Sequence, residues 1–197
     1  MKSNFLYRLL RPFFVLYLKI RYNPIVIGKE NIPDGGCILV GNHKNNLDFI
    51  CIGITTKRSI HFLAKSSLFK GLLKIILNLS GIIPVDRSKK DSSVLPKCNK
   101  LLLDNKVIGI FPERTFNKTD NPISHFKIGA VKMAYDTSKP IIPIMIDEYK
   151  KNMKIIIGKK IFINNNDLSN ENKKLMKTLE EMIVSNREWT YESSRFI

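Results

Sequence analysis

Val40-Gly41-Asn42-His43-Lys44-Asn45-Asn46-Leu47-Asp48-Phe49 is the stretch whose reading decides the fold. The apolar run Cys37 to Val40 leads into it and reads as a buried strand bounded by Gly35-Gly36 and Gly41. Leu47 to Ile52 then opens a helix. His43 therefore stands where a strand leaves a sheet, and Asp48 in the first turn of the next helix. Ligands of open α/β sheets collect at the carboxyl ends of strands. On one continuous helix, residues five apart would lie roughly 140° apart and could not pair. With His43 on the loop and Asp48 on the helix, the turn can bring the carboxylate to one imidazole nitrogen. Asn45 or Asn46 suits the helix N-cap. The other imidazole nitrogen is then left to take a proton. That is the base of the hydrolase triad without its serine, suited to activating a hydroxyl of a substrate. The same spacing also fits a loop histidine and a capping aspartate in an ordinary domain.

A chain of 197 residues is most simply one domain with a real core. Its three cysteines, Cys37, Cys51 and Cys98, are odd in number and lack C-x-x-C spacing. That argues against a disulfide framework or a zinc site, and for a reducing compartment. The formal charge of +16 attracts polyanions: nucleic acid, an anionic membrane surface or phosphorylated substrates. The basic residues are dispersed, with no arm-like block and no Arg- or Gly-rich segment, so no nucleic-acid partner is expected. Lys, Asn and Ile are abundant together, which base composition alone can produce. No Walker or Rossmann glycine motif is present, so no nucleotide cofactor is indicated.

Residues 1–22 form a separate stretch rich in Phe and Leu, interrupted by Arg8, Arg11, Lys19 and Arg21. Its longest uncharged run, Pro12 to Leu18, is far short of the roughly 20 apolar residues of a spanning helix. Basic flanks, tyrosines and many aromatics suit a helix lying in the membrane interface, broken or bent at Pro12. The alternative is an amphipathic helix packed on the domain.

From Ile25 onward, short apolar runs alternate with helical patterns. Ile25 to Ile27, His61 to Ala64, Ile82 to Val85, Val107 to Phe111, Ile141 to Ile146, Lys154 to Ile157 and Ile161 to Ile163 read as extended. Asp48 to Thr55, a helix capped by Ser66, Ser92 to Asp104, Lys127 to Tyr135 and Glu171 to Ser185 read as helical. This alternation implies an α/β fold, a mostly parallel sheet flanked by helices. Polar residues recur just after the apolar runs: His43 to Asp48, Lys65, Asp86-Arg87 and Glu113-Arg114-Thr115. Parallel strands would bring all four sets to one edge. Lys65, Arg87 and Arg114 offer donors for a phosphate, arginine in bidentate fashion. Thr115 adds a hydroxyl, and Glu113 can hold a substrate hydroxyl or orient an arginine. No His/Cys/carboxylate set stands at metal spacing, so no metal is expected. His61 and His125 read as structural or solvent-exposed.

In these residues the chain resembles the glycerophospholipid acyltransferases, in particular the bacterial 1-acyl-glycerol-3-phosphate acyltransferases. Asn42 to Asp48 matches the family's N-H-x-x-x-x-D motif. Gly81 to Arg87 looks like its second block, Phe111 to Thr115 is similar to its F-P-E-G-T-R-S block, and Ile141 to Ile144 to its proline-centred fourth block. The resemblance covers roughly residues 25 to 147. It implies that His43 is a general base and Asp48 its partner. It implies an acyl group moving from acyl-CoA or acyl-ACP to the hydroxyl of a lysophospholipid acceptor, with no cofactor. Lys65, Arg87 and Glu113 resemble residues that bind the acceptor's glycerol phosphate. An acyltransferase domain over residues 23–197 is expected behind the interfacial segment. So is a peripheral or monotopic protein on the cytoplasmic face of the cell membrane.

The third block departs from the family. Its glycine is Arg114, its arginine Phe116 and its serine Asn117. A phosphate ligand is lost three places after Glu113, and Arg114 must tolerate a Cβ where glycine is usual. Glycerol 3-phosphate or a lyso-aminolipid therefore stays open as acceptor. A non-catalytic basic module for nucleic acid or anionic lipid is the rival from another class, and an inactive family member is a third reading.

Overall fold

Short runs of isoleucine and valine build the sheet: β1 (Ile25–Ile27), β2 (Cys37–Gly41), β3 (Ile60–Lys65), β4 (Ile83–Val85), β5 (Val107–Ile110), β6 (Ile141–Tyr149) and β7 (Asn152–Ile157). In the computed structural model the described residues are 5–86, 88, 92–149 and 152–193. The seven strands lie in the order β1-β7-β6-β2-β5-β3-β4. All neighbours are parallel except β6 and β7. The α/β, mostly parallel fold is therefore as the sequence alternation implies.

Side chains alternate across the strands, so each face of the sheet buries its own set. Ile38 and Val40 of β2, with Ile108 and Met145, face α4 (Val94–Leu103), α5 (Gly129–Thr137) and α6 (Leu168–Ser193). Cys37 and Leu39 face α1 (Phe5–Tyr22) and α2 (Asp48–Thr55), with Ile52, Ile142 and Leu18 in the same cluster. Each large aliphatic chain so buried contributes about 1.5–3 kcal/mol. The three cysteines are free and buried. Burial pushes the Cys37 and Cys98 thiols up to about 11 and raises Cys51 further, so none is a thiolate nucleophile at neutral pH.

α1 runs through Pro12 without a break, against expectation. Pro12 is exposed, so water can satisfy the Arg8 carbonyl that the missing N–H would have bonded. The helix is tied to the rest by Arg11, whose guanidinium donates to the Gly53, Ile54 and Thr56 carbonyls at the carboxyl end of α2. A cation there satisfies orphan carbonyls and complements the helix dipole. The segment after β3 also differs from expectation. Ser66–Leu68 is a single 3-10 turn, and α3 begins only at Gly71 and ends at Leu79. Lys70 is extended and Gly71 has φ 50°, which resets the chain direction before the helix. Of Ile161 to Ile163 only Ile161 pairs, as a lone bridge to Ile141.

Gly109 in β5 carries a packing requirement that reaches the loop above it. A Cβ there would lie 2.4 Å from the Phe62 ring and 2.8 Å from Ile60. Phe62 in turn stacks on Phe111, centroids 6.1 Å apart. Gly109→Ala is expected to lower stability by about 1–3 kcal/mol through overpacking, measured by urea denaturation. An unchanged midpoint would contradict the tight crossing.

Candidate active site

β2 delivers His43 to the carboxyl edge of the sheet, and nearly every group of that residue is held. Its Nδ1 lies 2.8 Å from Asp48 Oδ2. A carboxylate accepts only, so Nδ1 carries the proton and Nε2 presents its lone pair. The backbone N–H donates to Glu113 Oε1 at 2.8 Å, and the carbonyl accepts from Asn117 N–H at 2.7 Å. Phe111 stacks on the imidazole with centroids 4.1 Å apart, and Phe116 meets it edge-on at 4.5 Å. Nε2 has no protein partner among the described residues, and the side chain keeps 17% of its surface.

Asp48 is 2% exposed and sits in the first turn of α2, where the helix dipole favours a carboxylate. Its Oδ2 also accepts the Lys44 and Asn45 N–H groups at 2.6 and 2.9 Å. The turn between His43 and Asp48 is thus folded around one oxygen. The N-cap expected of Asn45 or Asn46 is replaced: Leu47 occupies the cap with no side-chain bond, and Asn45 Oδ1 accepts from Leu47 N–H. Asn42 anchors the turn from behind. It is 1% exposed, and its amide pairs both ways with the Ile146 backbone of β6, at 2.9 and 2.8 Å.

Glu113 is turned inward, at 6% exposure. Oε1 is taken by the His43 N–H, and Oε2 accepts the N–H and the hydroxyl of Ser124, both at 2.7 Å. Its carboxylate staples the β5 loop to the His43 turn and to the segment before α5. Arg114, next along, has φ 64°, the left-handed conformation expected where the family has glycine. It is half-buried and lines a cavity of about 150 Å³ together with His43, Leu63, Val85, Phe111, Lys127 and Gly129. Thr115 is exposed on the same loop.

Lys65 and Asp86 lie further along the edge. Lys65 ends β3 and is exposed. Two strand spacings separate β2 from β3, about 10 Å at about 4.8 Å per strand. Asp86 follows β4, its Oδ1 accepting from Ser88, and Arg87 lies outside the described residues. His61 is buried with Nδ1–H donating to the Gly81 carbonyl, and burial lowers its pKa, a structural role. Sequence reasoning gave no site role to Lys127, to Ser124 or to Asn42 of the first motif. Lys127 was visible beside Phe126 and Gly129, yet its presence in the cavity depends on its N–H bonding the Pro112 carbonyl. Among the described residues no group of His, Cys, Asp and Glu could hold a metal ion.

A second cavity, of about 280 Å³, is almost wholly apolar and opens between α1, α2 and α3. Leu10, Phe14, Phe49, Phe62, Leu73 and Ile76 are among its walls.

Comparisons with known proteins bear on the family and the fold. The chain is 32% identical over 152 residues to the 1-acyl-sn-glycerol-3-phosphate acyltransferase of Bacillus subtilis, covering 72% of this chain and 75% of that protein. It is 35% identical over 126 residues to the enzyme of the same name from Borreliella burgdorferi, covering 62% of this chain and half of the relative. The crystal structure of the 1-acyl-sn-glycerophosphate acyltransferase from Thermotoga maritima shares the fold, with a TM-score of 0.77 and 18% identity over 92% of this chain and 79% of the other. A family model described as Acyltransferase matches residues 23–147, which include the His43–Asp48 pair and the β5 loop, and the chain belongs to that acyltransferase family.

Proposed function

We propose that the protein is a 1-acyl-glycerol-3-phosphate O-acyltransferase, with acyl-CoA or acyl-ACP as donor and no cofactor, making phosphatidate for phospholipid synthesis. The observation that carries this reading is a histidine whose Nδ1–H is held by Asp48 and which lines one cavity with Arg114 and Lys127. His43 Nε2 takes the proton of the acceptor hydroxyl as its oxygen attacks the thioester carbonyl. The tetrahedral intermediate collapses, the carbon–sulfur bond breaks, and the imidazolium returns the proton to the departing thiolate. Asp48 stabilises that imidazolium and fixes the tautomer before it forms.

Arg114 and Lys127, which line the cavity with His43, are the phosphate ligands of this reading, with Lys65 and Thr115 as further polar groups at the same edge and Arg87 as a further candidate on sequence grounds alone. The first turn of α5, at Gly129, borders the same cavity and favours an anion. Glu113 positions the His43 turn. The apolar cavity between α1, α2 and α3 takes an acyl chain. α1 lies in an anionic membrane interface, at the cytoplasmic face of the cell membrane. No helix among the described residues is long and apolar enough to cross a membrane.

The test is transfer of a labelled acyl group by purified protein, with acceptors supplied singly and the product identified. Acylation of 1-acyl-glycerol 3-phosphate is expected, and its failure with every donor would refute the reading. Arg114→Gly keeps a residue suited to φ 64° and deletes the cation. A lost charge-assisted hydrogen bond, about 1.5–3 kcal/mol, raises the acceptor KM by about 10-fold or more. An effect confined to the acyl donor would contradict a phosphate role.

One observation favours a second acceptor within the same chemistry. Phe116 stands edge-on against His43, where the family pattern has an arginine. An aromatic edge there suits an acceptor with less charge near its reacting hydroxyl, such as a lyso-aminolipid. Glycerol 3-phosphate is the third acceptor for the panel. Preference for either over lysophosphatidate would decide for this alternative.

A further inference from the structure

A surface helix of a water-soluble face should carry polar residues outward, and α3 does not. Its sequence is Gly-Leu-Leu-Lys-Ile-Ile-Leu-Asn-Leu, and none of its nine residues is buried. Leu72, Ile75 and Leu79 recur at helical spacing and are 73%, 55% and 43% exposed. They are not the residues that wall the apolar cavity, which are Leu73, Ile76 and Leu77 on the adjacent face. α3 packs beside α1, whose Phe13, Leu16 and Ile20 are 66%, 56% and 80% exposed. The two helices thus present one apolar plateau with the cavity between them.

Charge names the occupant. The sequence contains no Asp or Glu from Met1 to Lys29, and none from Phe49 to Val85. The segments that form α1, α3 and their approaches are therefore uniformly cationic, with Lys65, Lys70 and Lys74 exposed around α3. Apolar residues fringed only by cations complement an anionic bilayer, where acyl tails meet phosphate headgroups. A protein partner of ordinary composition would find no carboxylate to pair with its own basic residues.

We propose that α3 is a second membrane-docking element: with α1 it seats the protein on an anionic bilayer through Leu72, Ile75 and Leu79. The opening between the helices then faces the acyl-chain layer. The inference rests on the reading that the substrate is a membrane lipid. Docking by two helices fixes the tilt of the domain, which one helix alone would leave free to roll.

The experiment compares the full chain with Leu72→Ser/Ile75→Ser and, separately, Phe13→Ser/Ile20→Ser. These side chains line neither cavity, and circular dichroism checks that the folds are retained. Co-sedimentation uses phosphatidylglycerol–phosphatidylcholine vesicles, and turnover is read with the acceptor in vesicles and in detergent micelles. Loss of two exposed apolar chains is expected to weaken vesicle binding by about 10-fold or more, as burial of such chains implies. Vesicle turnover should fall with it, while micelle turnover is kept. If the unaltered chain fails to sediment with anionic vesicles, the membrane reading itself falls. If it sediments and the α3 variant does so equally, this inference alone is overturned. Self-association lost in the α3 variant with vesicle binding intact would assign the plateau to a second copy of the chain, and overturn it too.

Discussion

His43→Ala is expected to lower acyl transfer by about 10² to 10⁴, the range that a positioned general base supplies. The fold should survive, because the imidazole is partly exposed and its loss only opens the cavity it already borders. Asp48→Asn is expected to do less. Asp48 Oδ2 sits where the Lys44 and Asn45 N–H groups converge with the imidazole. Those two donors force the oxygen of an asparagine into the same place, so the Nδ1–H tautomer is kept. What disappears is the negative charge opposite the imidazolium. A hydrogen bond to a charged group contributes about 1.5–3 kcal/mol, so the rate should fall by about 10- to 100-fold. The order of the two effects is the diagnostic. Asp48→Asn as damaging as His43→Ala would mean that the aspartate does more than hold and stabilise the ring. Full turnover by His43→Ala in a clean preparation would remove the base from the mechanism.

The part of this site that follows from local chemistry was legible in the sequence. A strand ending at Gly41, a turn and a helix opening at Asp48 follow from apolar run lengths and glycine placement, and α2 spans the expected Asp48 to Thr55. The left-handed Arg114 was legible because only one residue type is at ease where it stands. Parallel alternation also foretold that His43, Lys65, Asp86 and Glu113 follow strands ending at one edge. The insertion of β7 between β6 and β1 was not legible, since strand order depends on long-range pairing that no local period encodes. The Ser66 cap failed for a related reason. An apolar helical period extends back to Phe69, but Gly71 in a left-handed conformation interrupts it, and glycine alone does not announce the sign of φ. The orientation of Glu113 depends on Ser124, eleven residues on, and on the His43 backbone, seventy residues back. Loop contacts of that span leave no pattern in a single sequence.

Glu113→Gln is expected to separate two roles for this carboxylate. As a substrate ligand it would be missed in KM, with stability untouched. As a staple it is missed in kcat and in stability together. The geometry favours the staple, because one oxygen faces the His43 N–H and the other faces the Ser124 N–H and hydroxyl. A glutamine has one accepting oxygen, so whichever way it turns, its NH₂ meets a backbone N–H. That donor, largely shielded from water, loses its partner at about 1–3 kcal/mol. The strain acts on the His43 turn or on the segment ahead of α5, both of which border the cavity. A displacement of about 1 Å in a reacting group can lower a rate by about 10²-fold, so a comparable fall in kcat is expected with the acceptor KM little changed. Thermal unfolding should shift down in the same variant. A raised KM at unchanged kcat and melting temperature would instead place Glu113 on the acceptor and leave the His43 turn to be held by Asp48, Asn42 and the Asn117 N–H.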